Sequence, residues 1–118
     1  MACKVVFTNC LLENKHLQDK YCNQVLDLIA ETGNEIVINS PILENYIREK
    51  YPNIPLTSSI TKGLDFNTYK TAIQQNYKAV VCYPRRDILQ DISTLDEINK
   101  AKIELMLNND CCAYCKIE

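Results

Sequence analysis

Three cysteines stand within five residues near the end of the chain, Cys111, Cys112 and Cys115, directly after Asn108-Asn109-Asp110. Thiolates at this density could hold Zn²⁺ or an iron–sulfur cluster, provided a fourth ligand arrives from elsewhere. Cys112-x₂-Cys115 has the spacing of a zinc knuckle and Cys111-x₃-Cys115 does not. A strong zinc assignment would need a second knuckle pair, and the chain has none. The only histidine, His16, reads as an exposed residue at a helix start. One His also leaves little from which to build a Cys–His nucleophilic pair. The alternative is that the three cysteines are structural, and the residues leave both readings open.

A second group of polar residues is spread along the chain. Thr8-Asn9, Asn39-Ser40, Ser58-Ser59, Tyr83-Pro84 and Asn108-Asn109-Asp110 each follow an apolar run. In parallel α/β sheets the carboxyl ends of the strands form one rim, and ligands bind there. Asn9, Asn39, Ser58, Ser59, Tyr83 and Asn108 are therefore the expected ligand rim, with Lys62 as an anion contact after the third strand. The same residue types also make turns and helix caps, and Ser40 fits a cap. Thr61-Lys62-Gly63 matches no phosphate loop, and two glycines in the whole chain leave no dinucleotide fingerprint. The cysteine cluster follows the last strand and so falls on the same rim.

The elements that must position these residues alternate between apolar runs and helical stripes. Lys4–Thr8, Glu35–Asn39, Pro55–Ser59, Ala79–Tyr83 and Lys102–Leu107 read as strands, with centres 20 to 31 residues apart. That spacing suits βα units around a parallel sheet. A helix is predicted over His16–Thr32, with Tyr21, Val25, Leu28 and Ile29 on its apolar face and Gly33 as its stop. A second is predicted from Pro41, capped by Ser40, with Ile42, Leu43, Tyr46 and Ile47 apolar, broken at Tyr51-Pro52-Asn53. Further helical pieces cover Asn67–Asn76, Asp87–Ile92 and Thr94–Lys100. Asp87, Asp91, Asp96 and Glu97 read as a solvated face, and Tyr46, Tyr51, Tyr69 and Tyr77 as packing residues. The expected fold is α/β: five βα-type units with a mainly parallel sheet, either half of a TIM-like barrel or an open doubly wound sheet, as a single domain over 1–118.

Composition narrows the function classes. At 118 residues the chain can bury roughly two-thirds of its unfolded surface, so it needs no disulfide staple. A net charge of −2 gives no basic face for nucleic acid; Arg85-Arg86 is the nearest candidate. No apolar stretch reaches membrane-spanning length. Met1-Ala2-Cys3-Lys4 runs straight into a strand, which is not a secretory leader. Seven cysteines form an odd, irregular set, and Cys3, Cys10, Cys22 and Cys82 lie in apolar or amphipathic runs, where Cys acts as a small hydrophobe. Reduced thiols in a cytoplasmic protein are expected.

Val37–Leu64, Ala79–Asp87 and Ile103–Cys115 together carry a resemblance. Asn39, Ser58, Ser59, Lys62, Asn108, Cys111 and Cys115 fall on a pattern that looks like a group of uncharacterised bacterial barrel-type proteins ending in an LVN-x₂-C-x₃-C motif. Those proteins are in turn distantly similar to the collagenase-like peptidase (U-thirty-two) family. The resemblance implies a barrel whose cysteine cluster takes part in iron or iron–sulfur binding. Cys112 is an extra thiol against that pattern. A full (β/α)₈ barrel needs about 200 residues or more, so the chain looks like a truncated member. Three functions are compatible with these features. The first is a non-catalytic half-barrel that binds itself or a partner protein at its open sheet edge, as a homo-oligomer or a complex. The second is a metal or iron–sulfur protein, possibly an enzyme accessory, using Cys111, Cys112 and Cys115. The third is an enzyme acting on a small polar ligand at the rim.

Overall fold

Capping residues set the boundaries of the first half of the chain. Asp19 accepts the Cys22 N–H at 2.8 Å and starts a helix there. Gly33 ends it in the left-handed conformation at φ +69°, which a glycine adopts without steric cost. Ser40 caps the next helix by accepting from the Leu43 N–H, with Pro41 in its first turn. The computed structural model describes residues 3–62 and 66–106. The chain divides into two compact units, 1–59 and 60–118.

The first unit runs β1 (Lys4–Phe7), a 3₁₀ turn (Asn14–Gln18), α1 (Lys20–Thr32), β2 (Glu35–Ile38), α2 (Pro41–Lys50) and β3 (Leu56–Ser58). β1 pairs with β2 and β2 with β3, both parallel, in registers Val6↔Val37 and Val37↔Thr57. Strands paired in chain order through right-handed crossovers carry their helices on one face. The core of this unit is accordingly one layer of helix on sheet: Leu26 and Ile29 of α1, Leu43 and Ile47 of α2, and Ile36, Ile38 and Leu56 of the strands, each buried. Val6 and Val37 belong to the opposite face; Val6 is 60 % exposed and Val37 half-buried.

The second unit begins with a 3₁₀ turn (Ile60–Lys62) and continues with α3 (Phe66–Gln74), β4 (Ala79–Cys82), α4 (Arg86–Ser93), α5 (Glu97–Lys100) and β5 (Ile103–Leu105). β4 pairs with β5, again parallel. All four residues of β4 are buried, as are Tyr69, Ala72 and Ile73 of α3, Tyr77 and Ile88. Asp87, Asp91, Asp96 and Glu97 are exposed, and Asp87 pairs with Arg85.

The α/β class with parallel pairing holds, and so does the order of strands and helices. Three expectations are corrected. The helix predicted from His16 begins at Lys20; His16 sits in a separate 3₁₀ turn because Asp19, not an earlier residue, supplies the cap. The predicted apolar face of that helix holds only at Ile29, which is buried together with Leu26; its other members, Tyr21, Val25 and Leu28, are 76 %, 40 % and 58 % exposed. Of the cysteines read as small core hydrophobes, only Cys82 is buried; Cys3, Cys10 and Cys22 are exposed free thiols. Among the described residues no helix is long and apolar enough to cross a membrane.

Candidate ligand cleft

Parallel register brings the strand ends of the first unit side by side. The Asn39 N–H donates to Phe7 O at 3.2 Å and the Ser59 N–H to Ile38 O at 3.0 Å, so the ladder continues one residue beyond each strand. Asn39 Nδ2 also donates to Thr8 O at 3.4 Å. Asn9, Asn39 and Ser59 thus follow the ends of β1, β2 and β3, and Ser58 is the last residue of β3. They are not equally open: Asn9 is exposed, Asn39 half-buried, and Ser58 and Ser59 are buried. The rim residues of the second unit are engaged locally. Lys62 donates to the Tyr77 hydroxyl and lies 4.7 Å from that ring's centroid, a cation–π contact. The Tyr83 N–H donates to the Tyr69 hydroxyl at 3.5 Å. Asn108, Cys111, Cys112 and Cys115 lie outside the described residues.

A cleft of about 490 Å³ opens beside Thr8 and Asn9 in the first unit. Its apolar wall comes from β1, α1 and α2, with Phe7, Leu26 and Leu43 among its residues. Its polar wall comes from the segment that folds back after β1: Asn9, His16, Asp19, Cys22 and Asn23, with Tyr46 of α2. The 3₁₀ turn is what carries His16 there. Its imidazole Nδ1 accepts the Glu13 N–H at 2.9 Å, an arrangement that closes the turn on itself.

Asn23 fastens the cleft wall. Its Nδ2 donates to Leu17 O at 2.9 Å and to Asp19 O at 2.8 Å, tying the 3₁₀ turn to α1. Its Oδ1 accepts from the Tyr46 hydroxyl, tying α1 to α2. Lys50 donates to that hydroxyl at 3.1 Å and lies 5.3 Å from the Tyr51 ring, while Tyr51 donates to Asp27. The Lys50 ammonium pKa is raised, chiefly by its bond to Tyr46.

Asp19 and Cys22 set the electrostatics of the polar wall. The Cys22 backbone N–H holds the Asp19 carboxyl below the ordinary carboxylate range. Partial burial, and then the Asp19 carboxylate beside it, push the Cys22 thiol up. A nucleophilic cysteine needs the reverse shift toward thiolate. His16 and Cys22 share the cleft, yet no hydrogen bond joins them, and the imidazole's one bond among the described residues is to Glu13. Among the described residues no group of three His, Cys, Asp or Glu side chains is placed to hold a metal ion.

Sequence reasoning reached Asn9 but passed over Asp19, Cys22, Asn23 and Tyr46 as site residues. The available signal was Asp19 standing immediately before an amphipathic stripe, an N-cap signature. No family model, no curated protein and no solved structure matches this chain.

Proposed function

We propose that this chain is a non-catalytic α/β module of the half-barrel kind that associates with a second copy of itself through the open flank of its first unit. The observation that carries the reading is the apolar stripe of α1. Tyr21, Val25 and Leu28 recur at helical spacing and are 76 %, 40 % and 58 % exposed. They lie on the side of α1 away from Asn23 and Asp27, which bond Tyr46 of α2 and its C-cap Tyr51. β1 is paired on one side only within this unit, and Val6 on it is 60 % exposed. An exposed apolar helix face and an unpaired strand edge are both surfaces that proteins ordinarily cover, and a second copy is the occupant always present at equal concentration. The exposed free thiols Cys3, Cys10 and Cys22 suit the reducing cytoplasm.

Sedimentation velocity over a range of concentrations tests it. The expected result is a concentration-dependent dimer that the pair Val25→Glu and Leu28→Lys converts to monomer with unchanged far-UV circular dichroism. A wild-type chain that stays monomeric at the highest concentration refutes it.

A further inference from the structure

The cleft of the first unit holds hydrogen-bond donors that the fold leaves unused. The Asn9 side-chain oxygen accepts the Leu11 N–H at 2.9 Å, which fixes the carboxamide and, among the described residues, leaves its NH₂ group without a partner. His16 Nδ1 is an acceptor for the Glu13 N–H, so a neutral imidazole carries its proton on Nε2, and that N–H is likewise uncommitted. The one carboxylate on the wall, Asp19, is already taken up by the Cys22 N–H as a helix cap. The cleft thus presents two uncommitted donors, on a mainly apolar surface formed by Phe7, Leu26 and Leu43 among others. Its volume of about 490 Å³ lies within the range of small-molecule sites. Asp19 stays ionised there, so an anionic ligand would meet a like charge.

We infer that this cleft binds a neutral, largely apolar small molecule through a carbonyl oxygen, which accepts from His16 Nε2–H and the Asn9 NH₂ group while the hydrocarbon body lies against the apolar wall. The site and the self-association flank share Val6 of β1 but differ elsewhere: the site uses the Asn9–His16 wall, the flank Tyr21, Val25 and Leu28.

Three chain-matched probes, 2-octanone, octylamine and octanoate, titrated into ¹⁵N-labelled protein distinguish the outcomes. The expected result is saturable shifts of the Thr8, Asn9 and His16 amides with 2-octanone and weaker binding of both charged probes. Two variants remove the donors yet keep the local bonds. Asn9→Asp retains the acceptor for the Leu11 N–H, and His16→Glu retains the acceptor for the Glu13 N–H, since Glu is a natural partner in a capping box. Each is expected to bind 2-octanone about five- to ten-fold more weakly, the equivalent of one lost hydrogen bond. His16→Gln keeps both the cap and a donor and is expected to bind like wild type. Absence of saturable shifts, charged probes binding as tightly as the ketone, or Asn9→Asp and His16→Glu binding it unchanged would each overturn the inference.

Discussion

Removing the buried thiol of Cys82 should change how the protein responds to alkali. Cys82 ends β4 with 0 % exposure, and its sulfur lies 3.9 Å from Val80 O. Burial pushes the thiol from an ordinary 9.0 up to about 12. Because the folded pKa lies above the unfolded one, the folded state holds the neutral thiol. The stabilisation is complete below about pH 9 and is lost as pH climbs through the interval from 9 to 12. At about 1.4 kcal/mol per unit, the loss at about pH 10.5 is on the order of 2 kcal/mol. Tyr69, 2 % exposed and also pushed up to about 12 by burial, titrates in the same direction but from an ordinary value of 10.0, so its share at that pH is smaller. Urea unfolding followed by circular dichroism, from about pH 8 to about pH 10.5 with reductant present, measures the slope for wild type and for Cys82→Ala. Wild type should lose about 2 kcal/mol more than the variant across that range. Equal slopes would refute the reasoning, because they would mean that the thiol ionises no later in the folded chain than in the unfolded one.

Asn23→Ala removes four polar contacts at one point, to Leu17, Asp19, Tyr46 and Lys50, and should cost about 1–3 kcal/mol in urea unfolding because partly buried partners are left behind. Thr57→Val should be neutral or stabilising by up to about 1 kcal/mol in the same assay: the Thr57 hydroxyl is buried and has no hydrogen-bond partner among the described residues. Elemental analysis of protein purified without air tests the closing cysteines: near-stoichiometric zinc or iron that disappears in Cys111→Ser/Cys115→Ser is the outcome expected if they are ligands, and metal retained by that variant rejects the assignment.

The apolar runs of β2 and β4 are legible because buried parallel strands lose the polar alternation that a half-exposed strand keeps. The caps at Ser40 and Gly33 are legible because each acts within a few residues of itself. Local chemistry therefore determines the class, the order of elements and the rim on which Asn9 and Asn39 meet. Tertiary structure decides which side of α1 faces inward. That helix carries two stripes of helical period, Tyr21-Val25-Leu28 and Cys22-Leu26-Ile29, and periodicity cannot rank them. Burial of Leu26 and Ile29 in the core turns the second inward and leaves the first in water. The cleft is likewise a tertiary object. Asn9 and His16 stand seven positions apart with no motif between them, and only the fold-back of the 3₁₀ turn, held by Asn23 from α1, puts both on one wall. Hydrogen bonds that close over long separations, such as Tyr46 to Asn23, have no local signature because each residue alone is an ordinary surface side chain. The sequence by itself determined a parallel α/β chain with a polar rim; the tertiary structure decided where that chain is open and what its cleft can hold.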